Sequence, residues 1–200
     1  MNAGAVDILV IISLIIFYGL LAGRSLLLSG KGIKVWVIGK STKSFFETVL
    51  ENILFPALAL WSVFVILVAL HISMPAAISN CAVSPDRLRY AGVTLAYIGL
   101  AIFVSALISF GKSWRIGIDE DNSNELVTTG MFRFSRNPVF LFMDLYFIGI
   151  ALIYPNIVLA LFAVCAGIGI HLQIVREEKF LLNKFGEKYA EYKKQTRRYI

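Results

Sequence analysis

Residues 133–140 read RFSRNPVF, and the apolar run that follows carries one carboxylate, Asp144. Pro138 suits the first turn of a helix, where its missing N–H costs nothing, and Asn137 is a good N-cap. The stretch therefore predicts a helix start whose free N–H groups and positive dipole end face out of the apolar layer. Arg133 and Arg136 add formal charge there, which makes an anion site. The alternative is that both arginines reach for lipid phosphate, as flanking arginines often do. A second cluster closes the next apolar run: His171, Gln173, then Arg176, Glu177 and Glu178. Paired glutamates beside arginines suit a small zwitterion with a cationic group, such as an amino acid bearing a sulfonium.

The elements between these clusters decide whether they meet. The chain has 200 residues, 58% of them hydrophobic and 16% charged, with a mean hydropathy of +0.76. Soluble domains carry roughly 25% charged residues, so this is a membrane protein's composition. Spans of roughly 20 apolar residues fall at about 5–22, 53–72, 90–109, 138–154 and 156–174. The first follows Met-Asn-Ala-Gly-Ala without a basic region, so a retained helix is expected rather than a signal peptide. The last two meet at Tyr154-Pro155-Asn156, a turn short enough to force an antiparallel hairpin. Counting from that turn at 1.5 Å per residue puts Asn137 level with Gln173, and Val139 level with His171. The two clusters should then share one mouth.

Basic residues concentrate in segments 23–52 and 110–137 and in the tail from 175. Segment 73–89 carries only Arg87 and Arg89. The positive-inside rule gives an external N-terminus and a cytoplasmic C-terminus and mouth. The net charge of +6 is thus a topology signal, and no nucleic-acid partner is expected. Cys81 and Cys165 are far apart, as are His71 and His171, so neither a disulfide framework nor a metal site is expected.

In the tail, Phe180, Leu181, Phe185, Tyr189 and Tyr192 form an apolar stripe at helical spacing. Gly186 marks a kink or a break between two helices. An interfacial helix lying on anionic lipid is the plainer reading of this tail. Asp144, deep in the bilayer on the count above, is either a hydrogen-bonded structural residue or a polar contact in a substrate cavity. Segment 110–135, with Trp114, Arg115, Asp119, Glu120, Asp121 and Gly130, is too long for a plain connection and reads as a lid-like loop. The expected fold class is all-α: a polytopic integral membrane protein with about five transmembrane helices, the last two a hairpin, plus cytoplasmic C-terminal amphipathic helices. Residues 1–109 form three N-terminal spans and 110–200 a functional core.

SWRIGID (113–119), LVTTGMFRFSRNPVF (126–140) and REEKFLLNKFGEKYAEY (176–192) together resemble the isoprenylcysteine carboxyl methyltransferase family, a relative of the phospholipid N-methyltransferases. The resemblance covers roughly residues 110–200. It implies S-adenosylmethionine as methyl donor, held at the cytoplasmic face, and a lipophilic small-molecule or prenylated acceptor drawn from the lipid bilayer. The residues it assigns to the donor are Leu126, Val127, Gly130, Arg136, Asn137, Glu177, Glu178 and Tyr189, and the hairpin count adds His171. Arg136 and Arg198 would orient the donor carboxylate or an anionic acceptor in catalysis. Trp114, Phe140 and Asp144 would meet the acceptor. Asn137 and Phe140 stand where the family carries His and Tyr, so the capping role survives while a titrating ring and a hydroxyl do not. Two rival functions share the same spans: an NADPH-dependent membrane reductase of sterol-reductase type, and a non-catalytic scaffold or transporter subunit.

Overall fold

A computed structural model describes residues 3–33, 35, 45–75, 78, 84–114 and 125–200. Arg115, Asp119, Glu120 and Asp121 of the expected lid, and Cys81, lie outside the described residues. The described helices are α1 (Ala3–Ser29), α2 (Phe45–Ala69), α3 (Asp86–Phe110), α4 (Pro138–Ile153), α5 (Ile157–Phe185) and α6 (Glu187–Gln195). Short 3-10 turns occur at Gly111–Ser113 and Gly130–Arg133, and no strand occurs among the described residues. The helices α1 and α5, and α3 with its 3-10 turn, are long and apolar enough to cross a membrane. The Pro56–Ala69 part of α2 and the whole of α4 are shorter apolar segments. The protein is an all-α integral membrane protein.

Side-chain contacts order the helices end to end. Asp7 near the start of α1 meets His71 just past α2 and Tyr154 just past α4. At the opposite end, Arg24 of α1 donates to the Gly111 carbonyl just past α3. Successive helices therefore alternate in direction. One end of the bundle holds the α4–α5 turn, and the other holds the charged sequence clusters.

The α4–α5 turn forms as expected, and Asn156 caps α5 by accepting from the N–H groups of Val158 (2.8 Å) and Leu159 (3.4 Å). The closest helix contact of α4, however, is with α3. A Cβ on Gly92 would fall 2.5 Å from the Gly149 carbonyl oxygen, and one on Gly99 would fall 3.1 Å from that of Phe142. Lipid tails are as apolar as leucine, so helices in a bilayer associate through close backbone approach at small residues. Gly92, Ala96 and Gly99 form such a face on α3, and Gly149 answers it on α4. Around this seam pack Phe17, Phe103, Phe142 and Tyr146, with Trp61, Phe147 and Phe162 beside them.

The fifth span and the start of the tail are one helix. α5 continues to Phe185 and ends only where Gly186 takes φ +54°, a left-handed conformation that glycine adopts without steric cost. Its 29 residues rise about 44 Å, well beyond a hydrocarbon core of roughly 30 Å. The glutamate pair is thereby carried past the apolar layer on a rigid rod.

Candidate functional site

Asn137 occupies the N-cap position of α4 and Pro138 the first turn, but the Asn137 side chain makes no cap hydrogen bond. Its Nδ2 donates instead to the Arg198 carbonyl at 3.1 Å, and Ser135 Oγ accepts from the Asn137 N–H at 3.1 Å. The corner is stitched to the C-terminal tail. Arg136 N–H donates to the Arg197 carbonyl (3.0 Å), and Arg136 Nη1 donates to the carbonyls of Thr196 (2.6 Å) and Lys193 (3.1 Å). The tail returns here because α6 is anchored alongside. Tyr192 donates its hydroxyl to the Phe132 carbonyl at 2.6 Å, and Tyr189 is fully buried beside it. Burial pushes the Tyr189 hydroxyl up to about 12 and raises that of Tyr192 as well.

The twin glutamates separate into two roles. Glu178 is buried and accepts from both arginines: Arg136 Nη2 lies 2.7 Å from Oε1, and Arg198 Nη2 lies 2.9 Å from Oε2. Lys193 stands at 4.0 Å. The hydrogen bond to Glu178 raises the affinity of the Arg198 guanidinium for its proton. Glu178 thus fastens the start of α4, the last two turns of α5 and the tail to one another. Glu177 has no hydrogen bond or ion pair among the described residues. It lines a cleft of about 150 Å³ with Arg136, Asn137 and Gln173, walled by Phe110, Trp114, Phe132 and Phe140.

The residues expected at one mouth are thus divided. Trp114, Arg136, Asn137, Phe140 and Glu177 share the cleft. Glu178 and Arg198 form the clamp behind it. Leu126 and Val127 pack against the Phe132–Tyr189–Tyr192 cluster. Gly130 sits at φ +62° beside Ser109, whose Oγ accepts from the Met131 N–H at 3.0 Å. His171 points away from the cleft. Its Nδ1 lies 3.1 Å from the Tyr199 hydroxyl on a separate groove, and Asp144 lies behind Gly167 on that same side. The residue counting placed His171 at the right height, but height along a helix does not fix the face. Gln173 is two residues on, about 200° around the helix. The aromatic walls Phe110 and Phe132 were not singled out in the sequence. Their one signal is a nearby glycine at a change of backbone conformation: Phe110 ends α3 just before Gly111, and Phe132 lies two residues after Gly130.

A family model described as phospholipid methyltransferase matches residues 88–188, half of the chain, from inside α3 to inside α6. Comparison with curated proteins finds no significant match.

Proposed function

The chain belongs to the phospholipid methyltransferase family, and from that premise we propose that it transfers a methyl group from S-adenosylmethionine to a lipophilic acceptor at the cleft beside Glu177. The observation that carries the reading is the split of the glutamate pair. One carboxylate is consumed by two arginines, and its neighbour has no partner among the described residues in a cleft walled by aromatic rings. Sites for whole small molecules measure roughly 300–1,000 Å³. A cleft of about 150 Å³ between described residues suits one arm of such a ligand, here the zwitterionic amino-acid end.

When bound, the donor supplies an electrophilic methyl group on a sulfonium. The protein's task is then to hold and orient both reactants and to exclude water. Glu177 binds the donor ammonium. Asn137 and Gln173 offer amide groups to its carboxylate. Arg136, held by Glu178 and the tail carbonyls, supplies a fixed positive field rather than a mobile clamp. Phe110, Trp114, Phe132 and Phe140 exclude water, and their faces favour a cation. The acceptor is a lipid-type molecule presented from the bilayer, an isoprenyl or acyl amphiphile. Following the loop charges, the N-terminus lies outside and the cleft opens to the cytoplasm. A reductase reading finds no support at this site, where an unpaired carboxylate would repel a polyanionic dinucleotide.

The test is calorimetric titration of detergent-purified protein with S-adenosylhomocysteine, alongside Glu177→Gln. Binding by the native protein, weakened about tenfold or more in the variant, is expected for a lost charge-assisted contact. Equal affinity in both removes Glu177 from the donor site. No binding by the native protein, with NADPH bound instead, removes the reading itself.

A further inference from the structure

Arg24 stands near the end of α1, outside residues 88–188 that the family model matches. Its Nη2 donates to the carbonyl of Gly111, the first residue beyond α3. An arginine flanking a membrane helix ordinarily reaches outward to lipid phosphate. Arg24 turns inward, and its Nε is buried with no hydrogen bond among the described residues. Withdrawing an N–H from water is costly, so the inward pose must be held by what the guanidinium meets. It meets the C-terminal end of a helix. The last carbonyls there lack helical partners and carry the negative end of the dipole. The last turn of α3 has no basic residue of its own, so α1 supplies a cation.

The carbonyl it holds lies between two walls of the cleft. Phe110 ends α3, Trp114 follows the 3-10 turn Gly111–Ser113, and both line the cleft. Phe110 is fixed from the far side. Its ring lies 4.6 Å from that of Phe132, and the neighbouring Ser109 Oγ accepts from the Met131 N–H. Trp114 lies beyond Gly111, whose φ of +53° sets the change of direction after α3. Glycine has the greatest backbone freedom, so a turn built on it is loose until something grips it. Arg24 grips it, and Trp114, only 4% exposed, is seated just past that grip.

We infer that Arg24 is a positioning residue for the cleft. By gripping the Gly111 carbonyl it holds the Trp114 wall in place before any ligand arrives, although Arg24 itself does not line the cleft. The inference rests on the methyl-donor reading for the ligand, while the seating of Trp114 is a matter of the protein alone. A wall held ready spares the ligand the cost of ordering it. A tie that merely joined α1 to α3 would alter melting but leave Trp114 seated in the folded protein.

The test compares native protein, Arg24→Met and Arg24→Lys in detergent, each beside its Trp114→Phe counterpart, so that the difference in fluorescence isolates Trp114. Without ligand, Trp114 emission in Arg24→Met should shift to the red and be quenched more by acrylamide than in the native protein, at a temperature where circular dichroism shows both folded. Arg24→Lys, which keeps a charged donor, should restore most of the native signal. In calorimetric titration, S-adenosylhomocysteine should bind Arg24→Met about three- to tenfold more weakly, since the ligand must then order the wall. Native-like Trp114 emission and quenching in a folded Arg24→Met overturns the inference, whatever the melting temperature. So does an exposed Trp114 with undiminished S-adenosylhomocysteine affinity. If the native protein binds no S-adenosylhomocysteine, the donor reading falls, and the ligand-free Trp114 signal still decides whether Arg24 holds the wall. Should Arg24→Met fail to fold, Arg24→Gln, shorter and uncharged, is read in its place.

Discussion

The two ends of the bundle each contain a buried carboxylate that joins distant parts of the chain, and they use it differently. At the turn end, Asp7 accepts from the Tyr154 hydroxyl at 2.7 Å and pairs with His71 Nε2 at 3.1 Å. Around it, Ser84 donates to the Leu152 carbonyl and Asn156 Nδ2 to that of Ile78. Every polar group named there has a partner in the protein. At the charged end, Glu178 ties three segments through two arginines, yet the adjacent Glu177 faces a cleft with nothing to bind among the described residues. Glu177 is half-buried, and a carboxylate facing an aromatic-walled cleft is a natural seat for a cationic group. One end is a fastening, while the other is a fastening that keeps an open seat beside it.

The largest effect should come from breaking the charged clamp. Glu178→Gln leaves the buried Arg136 without its counter-charge, and such losses cost about 3–5 kcal/mol. Arg198 is about a third exposed, so its share is screened and the cost falls toward the lower end. Thermal unfolding in detergent should show a marked drop in melting temperature, with weakened S-adenosylhomocysteine binding because Arg136 and Asn137 lose their frame. A melting temperature equal to native would mean that the tail is not fastened through Glu178.

Next in size is the turn end. Asp7→Asn keeps an acceptor for the Tyr154 hydroxyl but loses the charge facing His71, a side chain that is three-quarters exposed. A cost of about 1–2 kcal/mol is expected, that of weakening one buried hydrogen-bonded group. S-adenosylhomocysteine affinity should be unchanged, since the change lies at the far end of the bundle. A variant as damaged as Glu178→Gln would erase the contrast between the ends.

How much of this contrast the sequence carried depends on whether the signal was local. Helix existence and order followed from apolar runs, Pro138 and Gly186, because these act through backbone chemistry within a few residues. The hairpin count put Asn137 level with Gln173 and brought Arg136 and Glu177 within about one turn of them, since a two-helix register needs only the rise per residue. The face of each side chain was not legible. His171 and Gln173 share a height but serve different surfaces, and the twin glutamates diverge because successive residues on a helix point about 100° apart. The α3–α4 seam was also missed, although Gly92, Ala96, Gly99 and Gly149 were there to be read as small-residue faces. The partnering of Arg136 with tail carbonyls was the least legible of all. It depends on a return of the chain some sixty residues later, which no local pattern encodes.

A third prediction separates the ends by pH. Tyr189 is packed at the charged end, and its hydroxyl is raised by burial first and by Glu178 second, to about 12 from an ordinary value near 10. The raised value means that the folded state favours the neutral phenol. Its contribution is fully present below pH 10 and is lost as pH climbs toward 12. Melting temperature should therefore fall across that window. Tyr189→Phe should flatten the fall, while Asp7→Asn should leave its steepness as in the native protein. An identical alkaline slope in Tyr189→Phe would show that this phenol does not titrate with folding.

The smallest change in stability belongs to Glu177→Gln. Nothing among the described residues depends on that carboxylate, so melting without ligand should stay within about 0.5 kcal/mol of native, as for substitutions that remove no partnered group. Burial and the neighbouring Glu178 push the Glu177 carboxyl up to about 7, so its replacement by an amide relieves desolvation and repulsion. Ligand should reveal the difference. Saturating S-adenosylhomocysteine stabilises whatever it binds in proportion to the logarithm of concentration over dissociation constant. The native protein should gain more on adding it than the variant does. A variant that melts well below native without ligand would show that Glu177 is a structural partner, and the open seat would then be part of the fastening.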